Sequence, residues 1–365
     1  MADHFLWTLL HAHLHQTLRD RKLLESGQPV LVAVSGGQDS LCLARLLLDL
    51  QPKWKWTLAI AHCDHRWRDD SEANAAFVHD LAQSWQLPFY LQTAEQRLTS
   101  EATARQWRYQ SLCAIAQKHG YNHIATGHTA SDRAETLLYN LVRGSGADGL
   151  QALTWKRPLT PEINLVRPLL TLNRAQTAQF CHDLQLHIWQ DSTNQDLNYA
   201  RNRIRLELLP YLQTHLNPQV EQALAQTVEL LQAEVDYLET EAGKLLQQAV
   251  QTLNIGAIAN SSLPPEKFSV NQTHSEQSPL PAPQISLNRR ILQTVPLALQ
   301  RRVMRQILLK ILPCAPNFEQ VEKLVALINA PNRSQTDPFP GGAIAHAKDD
   351  QIWLGTDEQE KKMKR

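Results

Sequence analysis

Apolar runs and amphipathic segments alternate between residues 30 and 141 of the chain. Short apolar runs bounded by turn residues predict buried strands at 30–34, 57–65, 88–94 and 122–128. The segments between and after them have helical spacing, at 41–50, 71–86, 101–119 and 131–141. Strands that alternate with helices indicate an α/β fold with a parallel, doubly wound sheet. Ligands of such sheets bind at the carboxyl ends of the strands.

Helical patterns dominate the second half of the chain. Apolar residues repeat in steps of four and three from Leu224 to Leu245, which predicts a long helix that packs against another helix. The same apolar stripe would suit a homodimer. Further helices are predicted at 288–312 and 317–328, and a small hairpin is predicted in the segment PFPGGAIAHAKDDQIWLG.

Shifts in composition divide the chain into three parts. Residues 1–215 form the predicted α/β domain with a connecting segment, and 216–345 a smaller, mostly helical domain. Within the second part, 259–286 is rich in Ser, Pro, Gln and Asn, which is typical of a mobile loop. Residues 346–365 complete the hairpin and end in a charged tail that we expect to be disordered.

The overall composition is that of a folded protein. The 365 residues are enough for two domains, and 43% of them are hydrophobic. The five cysteines are widely spaced and include no C-x-x-C pair, so neither a disulfide framework nor a cysteine-based zinc site is expected. The N-terminal segment has neither the apolar core of a signal peptide nor the length of a membrane span. We therefore expect a cytoplasmic protein with no membrane partner.

Charge is balanced overall, with 36 basic and 36 acidic residues, but it is unevenly distributed. From 206 to 243 there are seven carboxylates and no Lys or Arg, whereas 286–310 contains six basic residues and no acid. Three more arginines, Arg201, Arg203 and Arg205, fall within five residues. Basic stripes of this kind can guide a polyanion such as RNA. The basic helix could equally neutralise the acidic one, and charge alone leaves both interpretations open.

The first predicted strand ends in the loop SGGQDS, which comprises Ser35, Gly36, Gly37, Gln38, Asp39 and Ser40. Glycines let backbone N–H groups approach a phosphate, and the following helix adds its positive N-terminal end. A carboxylate beside a phosphate requires a cation between them, so Asp39 predicts a bound Mg²⁺. The alternative is an ordinary tight turn in which Asp39 caps the helix. The loop matches neither G-x-x-x-x-G-K-[ST] nor G-x-G-x-x-G, so it is not a Walker-type P-loop.

The loop resembles the PP-loop of ATP pyrophosphatases, which cleave ATP between the α and β phosphates and pass AMP to an acceptor oxygen. Five further stretches resemble the tRNA(Ile)-lysidine synthetase family, in order, through residues 28–215. They are AHCDHRWRDDSEANAAFV, EATARQWRYQSL, IATGHTASDRAETLLYNLVRGSGADGL, RPLL and DSTNQDLNYARNRIRLELLPYL. Beyond residue 215 the resemblance is weaker, although the final hairpin is similar to the end of the family's substrate-binding region.

The resemblance implies a two-step reaction that uses ATP and Mg²⁺. ATP adenylates the carbonyl oxygen on carbon 2 of the wobble cytidine in an isoleucine tRNA with the anticodon CAU. The ε-amine of free L-lysine then displaces AMP and forms lysidine. On this basis the SGGQDS loop holds the leaving pyrophosphate, and the candidates for binding the rest of the nucleotide are Ala61, His65, Gly127 and His128.

Two groups of residues are candidates for the chemistry and for the tRNA. His128, Asp132 and Glu135 share one face at the start of a helix if that helix begins near Thr129. Their carboxylates could bind the lysine ammonium, hold Mg²⁺ or accept the proton that the attacking amine loses. Capping of the helix by Ser131 and Asp132, with an ion pair to Arg133, is the alternative. Arg201 is a further catalytic candidate, and the expected substrate contacts are Arg143, Asn194, Arg203, Arg205, Arg301 and Arg302.

Three other functions compete with this interpretation. A PP-loop enzyme that thiolates tRNA would typically carry C-x-x-C pairs, which this sequence lacks. An amide-forming PP-loop ligase for a small metabolite would not need the arginine cluster at 201–205. A non-catalytic tRNA-binding protein with a decayed nucleotide site would not need to retain Asp39, Asp132 and Glu135.

Overall fold

A computed structural model describes residues 7–66, 70–96, 98, 100–190, 192–254 and 284–356. The chain divides into two compact units, Met1–Gln232 and Ala233–Arg365. The boundary between the units lies further along the chain than residue 215, and the division by function that the sequence suggested stays a prediction. Within the described part of the chain, no helix is both long and apolar enough to cross a membrane.

The first unit contains a six-stranded sheet. Its strands are β1 Pro29–Ala33, β2 Thr57–Asp64, β3 Phe89–Thr93, β4 His123–Thr126, β5 Lys156–Pro158 and β6 Asn164–Val166. Their order is β3-β2-β1-β4-β6-β5, and every pair is parallel except β5 with β6. The predicted doubly wound parallel sheet is therefore confirmed, with an antiparallel strand added at one edge.

Helices cover both faces of this sheet. They are α1 Leu9–Asp20, α2 Gln38–Trp54, α3 Ser71–Ser84, α4 Glu101–His119, α5 Ala130–Val142, α6 Ala147–Leu150 and α7 Arg174–Asp183. Strand β1 shows why the sheet is buried on both sides, because Val30 and Val32 belong to one hydrophobic core and Leu31 to another. The four predicted helices correspond to α2, α3, α4 and α5.

The rest of the first unit is helical. A 3₁₀ turn Ser192–Gln195 precedes α8 Ala200–Arg203, a π-helical stretch Ile204–Leu208 and α9 Leu209–His215. The long helix α10, Val220–Ala249, crosses from the first unit into the second. Its apolar stripe is buried within this chain, with Val228 and Ala242 fully enclosed. Packing inside the chain accounts for the stripe, and the homodimer stays a prediction.

The second unit adds a four-stranded antiparallel sheet to its helices. The strands are β7 Val250–Asn254, β8 Gln284–Asn288, β9 Ala343–Lys348 and β10 Gln351–Thr356, in the order β7-β8-β10-β9. The helices are α11 Arg289–Gln293, α12 Leu297–Ile311 and α13 Phe318–Ala326. Strands β9 and β10 confirm the predicted hairpin.

Two expectations for the second unit need correction. The predicted helix at 288–312 is two helices, because Pro296 is the N-cap of α12 and a proline disfavours helical geometry in the residue before it. The predicted loop at 259–286 ends too late, since β8 already begins at Gln284. The remainder of that loop and the predicted tail after residue 356 lie outside the described residues.

Candidate active site

The SGGQDS loop joins the end of β1 to the start of α2. Gly37 is the N-cap of α2, so Asp39 lies within the first turn and does not cap the helix. Ser40 Oγ donates to the Gly37 carbonyl at 2.8 Å and accepts from the Ser35 N–H at 3.2 Å. No side chain of the described residues caps α2. Its first N–H groups are therefore left for a ligand, as in known phosphate sites.

Two glycines permit the close packing around this loop. Gly36 has φ +89°, and a Cβ there would lie 2.5 Å from Oδ1 of Asn74. A Cβ on Gly127, after β4, would lie 2.6 Å from the carbonyl oxygen of Asp39. A side chain at either position would push the end of β4 or helix α3 away from the loop. Gly127 thus acts through backbone proximity to the loop.

Arg174, the first residue of α7, gathers three carboxylates. Its Nε lies 3.3 Å from Oδ2 of Asp39, and its Nη2 lies 2.6 Å from Oδ1 of Asp132. Its Nη1 donates to Oε1 of Glu135. Arg205 holds the same Glu135 with two further hydrogen bonds, of 2.8 and 2.9 Å. One guanidinium therefore connects the carboxylate of the phosphate loop to the two carboxylates of α5.

The Asp39 carboxylate is also tied to α7 by hydrogen bonds. The hydroxyl of Thr177 donates to Oδ1 of Asp39. Gln38 donates to the Arg174 carbonyl at 2.9 Å, so its side chain fastens α2 to α7. Burial, with the nearby charge of Asp132, raises the pKa of Asp39, although Arg174 and Thr177 oppose the rise. A cation that binds here would relieve this unfavourable burial of negative charge.

Asp132 caps its helix and faces Arg174 at the same time. Its Oδ2 accepts from the N–H and the hydroxyl of Thr129, at 2.8 and 2.9 Å, in a capping box. Burial opposes ionisation of Asp132, but the charge of Arg174 and contacts with His128 and Thr129 outweigh it and lower its pKa. Arg133 pairs with Glu229 at 2.8 Å and not with Asp132. The capping alternative therefore holds for Asp132 alone, since one of its oxygens caps the helix and the other remains in the site, whereas the hydroxyl of Ser131 donates to Glu221.

A cavity of about 310 Å³ opens beside these carboxylates. Six predicted residues line it: His65, His128, Asp132, Glu135, Arg201 and Arg205. Its wall also contains residues to which the sequence gave no role, among them Glu101, Arg105, Arg108, Tyr199 and Asn202. Arg201 pairs with Glu101 at 3.2 Å. The cavity thus combines several guanidinium groups with a few carboxylates, which suits a ligand that carries both charges.

Other predicted residues lie away from the cavity. Ala61 is 1% exposed inside β2, and its carbonyl accepts from the Val34 N–H at 2.9 Å, which leaves its side chain in the core. Arg143 lies exposed against Tyr139, and exposed Arg203 donates to the Leu197 carbonyl at 2.9 Å. The side chain of Asn194 is outside the described residues.

Arg301 and Arg302 lie on α12 of the second unit and are paired there. Arg301 binds both carboxylate oxygens of Glu322, at 2.7 and 3.0 Å. Arg302 donates to Oε1 of Glu239, in α10, at 2.6 Å. These contacts favour the interpretation that the basic helix neutralises acidic residues, and the tRNA role of the two arginines stays a prediction.

Arg174 and Thr177 are the main residues of the site that sequence reasoning missed. The segment NRAQT shows a helix start, since Asn173 and Gln176 form a capping box that places Arg174 in the first turn. This signal locates the start of the helix. It does not reveal that the helix contacts Asp39, because Asp39 lies far away in the chain.

Comparison with known proteins identifies the domain and the family. The PP-loop domain family matches residues 8–212. The tRNA(Ile)-lysidine synthase of Nostoc sp. (strain PCC 7120) is 62% identical over 97% of this chain and 99% of that protein. The tRNA(Ile)-lysidine synthase of Synechocystis sp. (strain PCC 6803) is 49% identical over 94% of this chain and 97% of its own.

A solved structure supports the fold. The U34-tRNA thiolase NcsA from Methanococcus maripaludis aligns with a TM-score of 0.51 and 15% identity, over 61% of this chain and 78% of that chain. Since the identity is low, this likeness concerns the PP-loop fold alone. The full-length relatives carry the further conclusion: the chain belongs to the tRNA(Ile)-lysidine synthase family and contains an ATP-binding PP-loop domain.

Proposed function

We propose that the chain joins free L-lysine to carbon 2 of the wobble cytidine in the CAU-anticodon isoleucine tRNA, with conversion of ATP to AMP and pyrophosphate. The observation that carries the proposal is the bridge made by Arg174, which joins Asp39 of the phosphate loop to Asp132 and Glu135 of the cavity. The reaction first cleaves ATP and then adds an amine. The loop that binds the pyrophosphate and the carboxylates that bind the amine therefore have to lie side by side. The cytoplasm, where tRNA, ATP and lysine meet, is the expected location.

In the first step the oxygen on carbon 2 of the cytidine attacks the α phosphorus of ATP, and the bond to pyrophosphate breaks. The N–H groups at the start of α2 and the Ser35 and Ser40 hydroxyls stabilise the negative charge of the leaving pyrophosphate. The loop holds no lysine of its own, so the remaining positive charge has to come from elsewhere.

Mg²⁺ fits the residues around Asp39. In the described part of the chain, no three His, Cys, Asp or Glu side chains are arranged so that they could hold a metal ion together. A metal here would therefore be held by Asp39 and by oxygens of the nucleotide. That is the usual way in which proteins bind Mg²⁺ with phosphates. The raised pKa of Asp39, caused first by its burial, agrees with a carboxylate that gains stability from a cation. When bound, Mg²⁺ supplies positive charge to the departing pyrophosphate.

In the second step the ε-amine of lysine attacks carbon 2, and AMP leaves with the oxygen. The amine loses a proton as the new bond forms. In this proposal Asp132 and Glu135, which line the cavity, hold the ammonium and receive that proton. The lowered pKa of Asp132, which Arg174 maintains against burial, suits it to hold the ammonium. Arg205 fixes the orientation of Glu135 with its two hydrogen bonds.

In this proposal the remaining predicted residues interact with the negative charge of the adenylate or of the tRNA. Arg201 lies at the cavity, where its guanidinium can balance the charge of the adenylate. Arg143 and Arg203 are exposed and free to follow a phosphate backbone outside it. Asn194 stays a candidate for contact with the tRNA, whereas the pairing of Arg301 with Glu322 and of Arg302 with Glu239 argues against the same role for those two arginines.

A labelling assay tests the proposal. The protein is incubated with ATP, Mg²⁺, labelled lysine and unmodified CAU-anticodon isoleucine tRNA, and both label in the tRNA and release of AMP are measured. We expect lysine-dependent label in the tRNA and one AMP for each lysine. The control is the same tRNA with uridine in place of the wobble cytidine, which should take up no label. Folded protein that labels neither tRNA contradicts the proposal, and AMP release with a different acceptor would indicate another adenylating enzyme.

A further inference from the structure

Four arginines converge on the buried side chain of Tyr109 in α4. The guanidinium carbons of Arg157, Arg105 and Arg108 lie 5.0, 5.7 and 5.8 Å from the centre of its ring. The fourth, Arg167, follows β6, and its side chain is 2% exposed. Tyr109 itself is 7% exposed. Helix α4, strand β5 and the residue directly after β6 thus place positive charges around one ring.

These four arginines have no carboxylate partner in the described part of the chain. Arg167 donates from Nη1 to the Thr154 carbonyl at 2.6 Å, but its Nε has no hydrogen-bond partner among the described residues. The Tyr109 hydroxyl, also buried, has no acceptor or donor at hydrogen-bond geometry within the same residues. Arg167 and the Tyr109 hydroxyl interact with each other, but Arg167 Nε and the hydroxyl make no hydrogen bond of standard geometry to any described residue.

Arg133 shows what a buried arginine normally needs. It is also 2% exposed and also lies over an aromatic ring, that of Trp155 at 5.0 Å. Unlike Arg167, it binds a carboxylate, Glu229, at 2.8 Å. Burial of an unpaired charge is costly, and like charges nearby increase that cost. The cluster around Tyr109 lacks the negative charge that Arg133 has.

Tyr109 can supply only part of that negative charge. Burial alone would raise the pKa of Tyr109, but the charges of Arg167, Arg105, Arg108 and Arg157 outweigh it and lower that pKa to about 7. A single phenolate offsets one of four positive charges. The rest of the compensation has to come from a ligand, and arginine forks match the oxygens of a phosphate.

The cluster is continuous with the cavity, because Arg105 and Arg108 line its wall together with Asp132 and Glu135. We propose that this cluster is a second phosphate subsite, distinct from the SGGQDS loop, which binds a phosphate ester of the substrates. Its members are Arg105, Arg108, Arg157, Arg167 and Tyr109. The subsite rests on the proposed function for its ligands, which are either the RNA backbone beside the wobble cytidine or the phosphate of AMP.

The substitution Arg157→Gln tests the subsite. Arg157 is half-buried on the edge strand β5, so its loss leaves the core intact. The matched control is Arg19→Gln, an exposed arginine of α1. Dissociation constants are measured for AMP by calorimetry and for the CAU-anticodon tRNA by filter binding at several salt concentrations.

Two results would support the subsite, and they identify its ligand. If the RNA backbone binds here, Arg157→Gln raises the dissociation constant for tRNA about tenfold and leaves AMP binding unchanged. The slope of the logarithm of the tRNA binding constant against the logarithm of salt concentration also falls by about one in magnitude. If AMP binds here, its dissociation constant rises about tenfold and the tRNA values stay the same. Unchanged binding of both probes, as in Arg19→Gln, would overturn the proposal.

A spectroscopic titration gives an independent readout. An anion in the cluster would offset the arginine charges, so inorganic phosphate should raise the midpoint of the Tyr109 titration. The titration is monitored by the near-ultraviolet absorbance of tyrosinate. Tyr109→Phe should abolish that titration step and thereby assign it. A midpoint that stays fixed at high phosphate concentration contradicts the subsite.

These results are separable from the labelling assay. Wild-type protein that forms lysidine, together with normal binding by Arg157→Gln, would refute the subsite and leave the proposed function standing. Wild-type protein that forms no lysidine would refute the function, while a shifted tyrosine titration would still support a phosphate site.

Discussion

The arginines of the cavity wall and those of α12 are similarly dense in the sequence but differ in their partners. On α12, Arg301 and Arg302 each bind a carboxylate of their own unit. On α4, Arg105 and Arg108 have no carboxylate within the described residues and line a cavity. The sequence composition of the two helices does not distinguish them. The two helices differ in whether their arginines form ion pairs with carboxylates. This difference matters because an unpaired guanidinium keeps its charge available to a ligand.

The carboxylates of the first unit show the complementary arrangement. Asp39 and Asp132 share the guanidinium of Arg174 with Glu135, which Arg205 also binds, so Asp39 and Asp132 retain capacity for a further cation. Glu322, by contrast, is matched one to one with Arg301. Among the described residues, the cavity and the adjoining SGGQDS loop therefore combine incompletely paired charges of both signs, as a site for ammonium and phosphate requires.

The largest effect should come from Asp39→Asn. It removes the one carboxylate of the phosphate loop, and with it the expected anchor for Mg²⁺, so pyrophosphate release should fall about 10³-fold or more. Release is followed by a coupled phosphate assay. The control Asp20→Asn removes an exposed carboxylate of α1 and should be silent. Near-normal release by Asp39→Asn would contradict the role of the loop.

Arg174→Lys should have the next largest effect. Lysine keeps the charge, but a single ammonium cannot reach three carboxylates at the positions of Nε, Nη1 and Nη2. We expect kcat/KM for lysine to fall about 10²-fold, since the carboxylates of the cavity lose their alignment. Steady-state labelling with varied lysine measures it, and a loss smaller than threefold would show that the bridge is dispensable.

Paired arginines should matter for stability and not for catalysis. Burial opposes ionisation of Glu229, but Arg133, Trp155 and Arg21 lower its pKa, so its stabilising contribution is present at neutral pH and is lost as pH falls through that lowered value. Glu229→Gln should cost about 2 kcal/mol of unfolding free energy at neutral pH and flatten the acid limb of the stability profile. The surface-pair control Glu322→Gln should cost under about 1 kcal/mol. Urea unfolding at several pH values measures both, and equal costs would contradict the distinction.

The α/β core could be predicted from the sequence because its signals are local. Apolar strands and helical spacing located β1 to β4 and α2 to α5, and the glycine loop located the end of β1, where we propose that the phosphates bind. His128, Asp132 and Glu135 were grouped correctly as neighbours, because His128 follows the end of β4 and the two carboxylates lie on the helix that begins two residues later.

The rest of the site depends on contacts between distant segments. Arg174 reaches Asp39 across more than a hundred residues of chain, and Arg157 reaches Tyr109 from an edge strand only three residues long. Ala61 shows the converse, since a position at a strand end by sequence proved to be enclosed in the sheet. The sequence shows six basic residues in α12 and the segment before it, but it does not show which carboxylates pair with them.

The most direct test compares two double variants in the rate of labelled lysine transfer at subsaturating tRNA. Arg105→Gln with Arg108→Gln removes unpaired charge from the cavity, and Arg301→Gln with Arg302→Gln removes paired charge from α12. We expect the first pair to lower the rate about 10²-fold and the second to lower it less than threefold, because arginines whose charge is already paired with a carboxylate have little left to offer a ligand. A larger loss from the α12 variant than from the cavity variant would contradict the account.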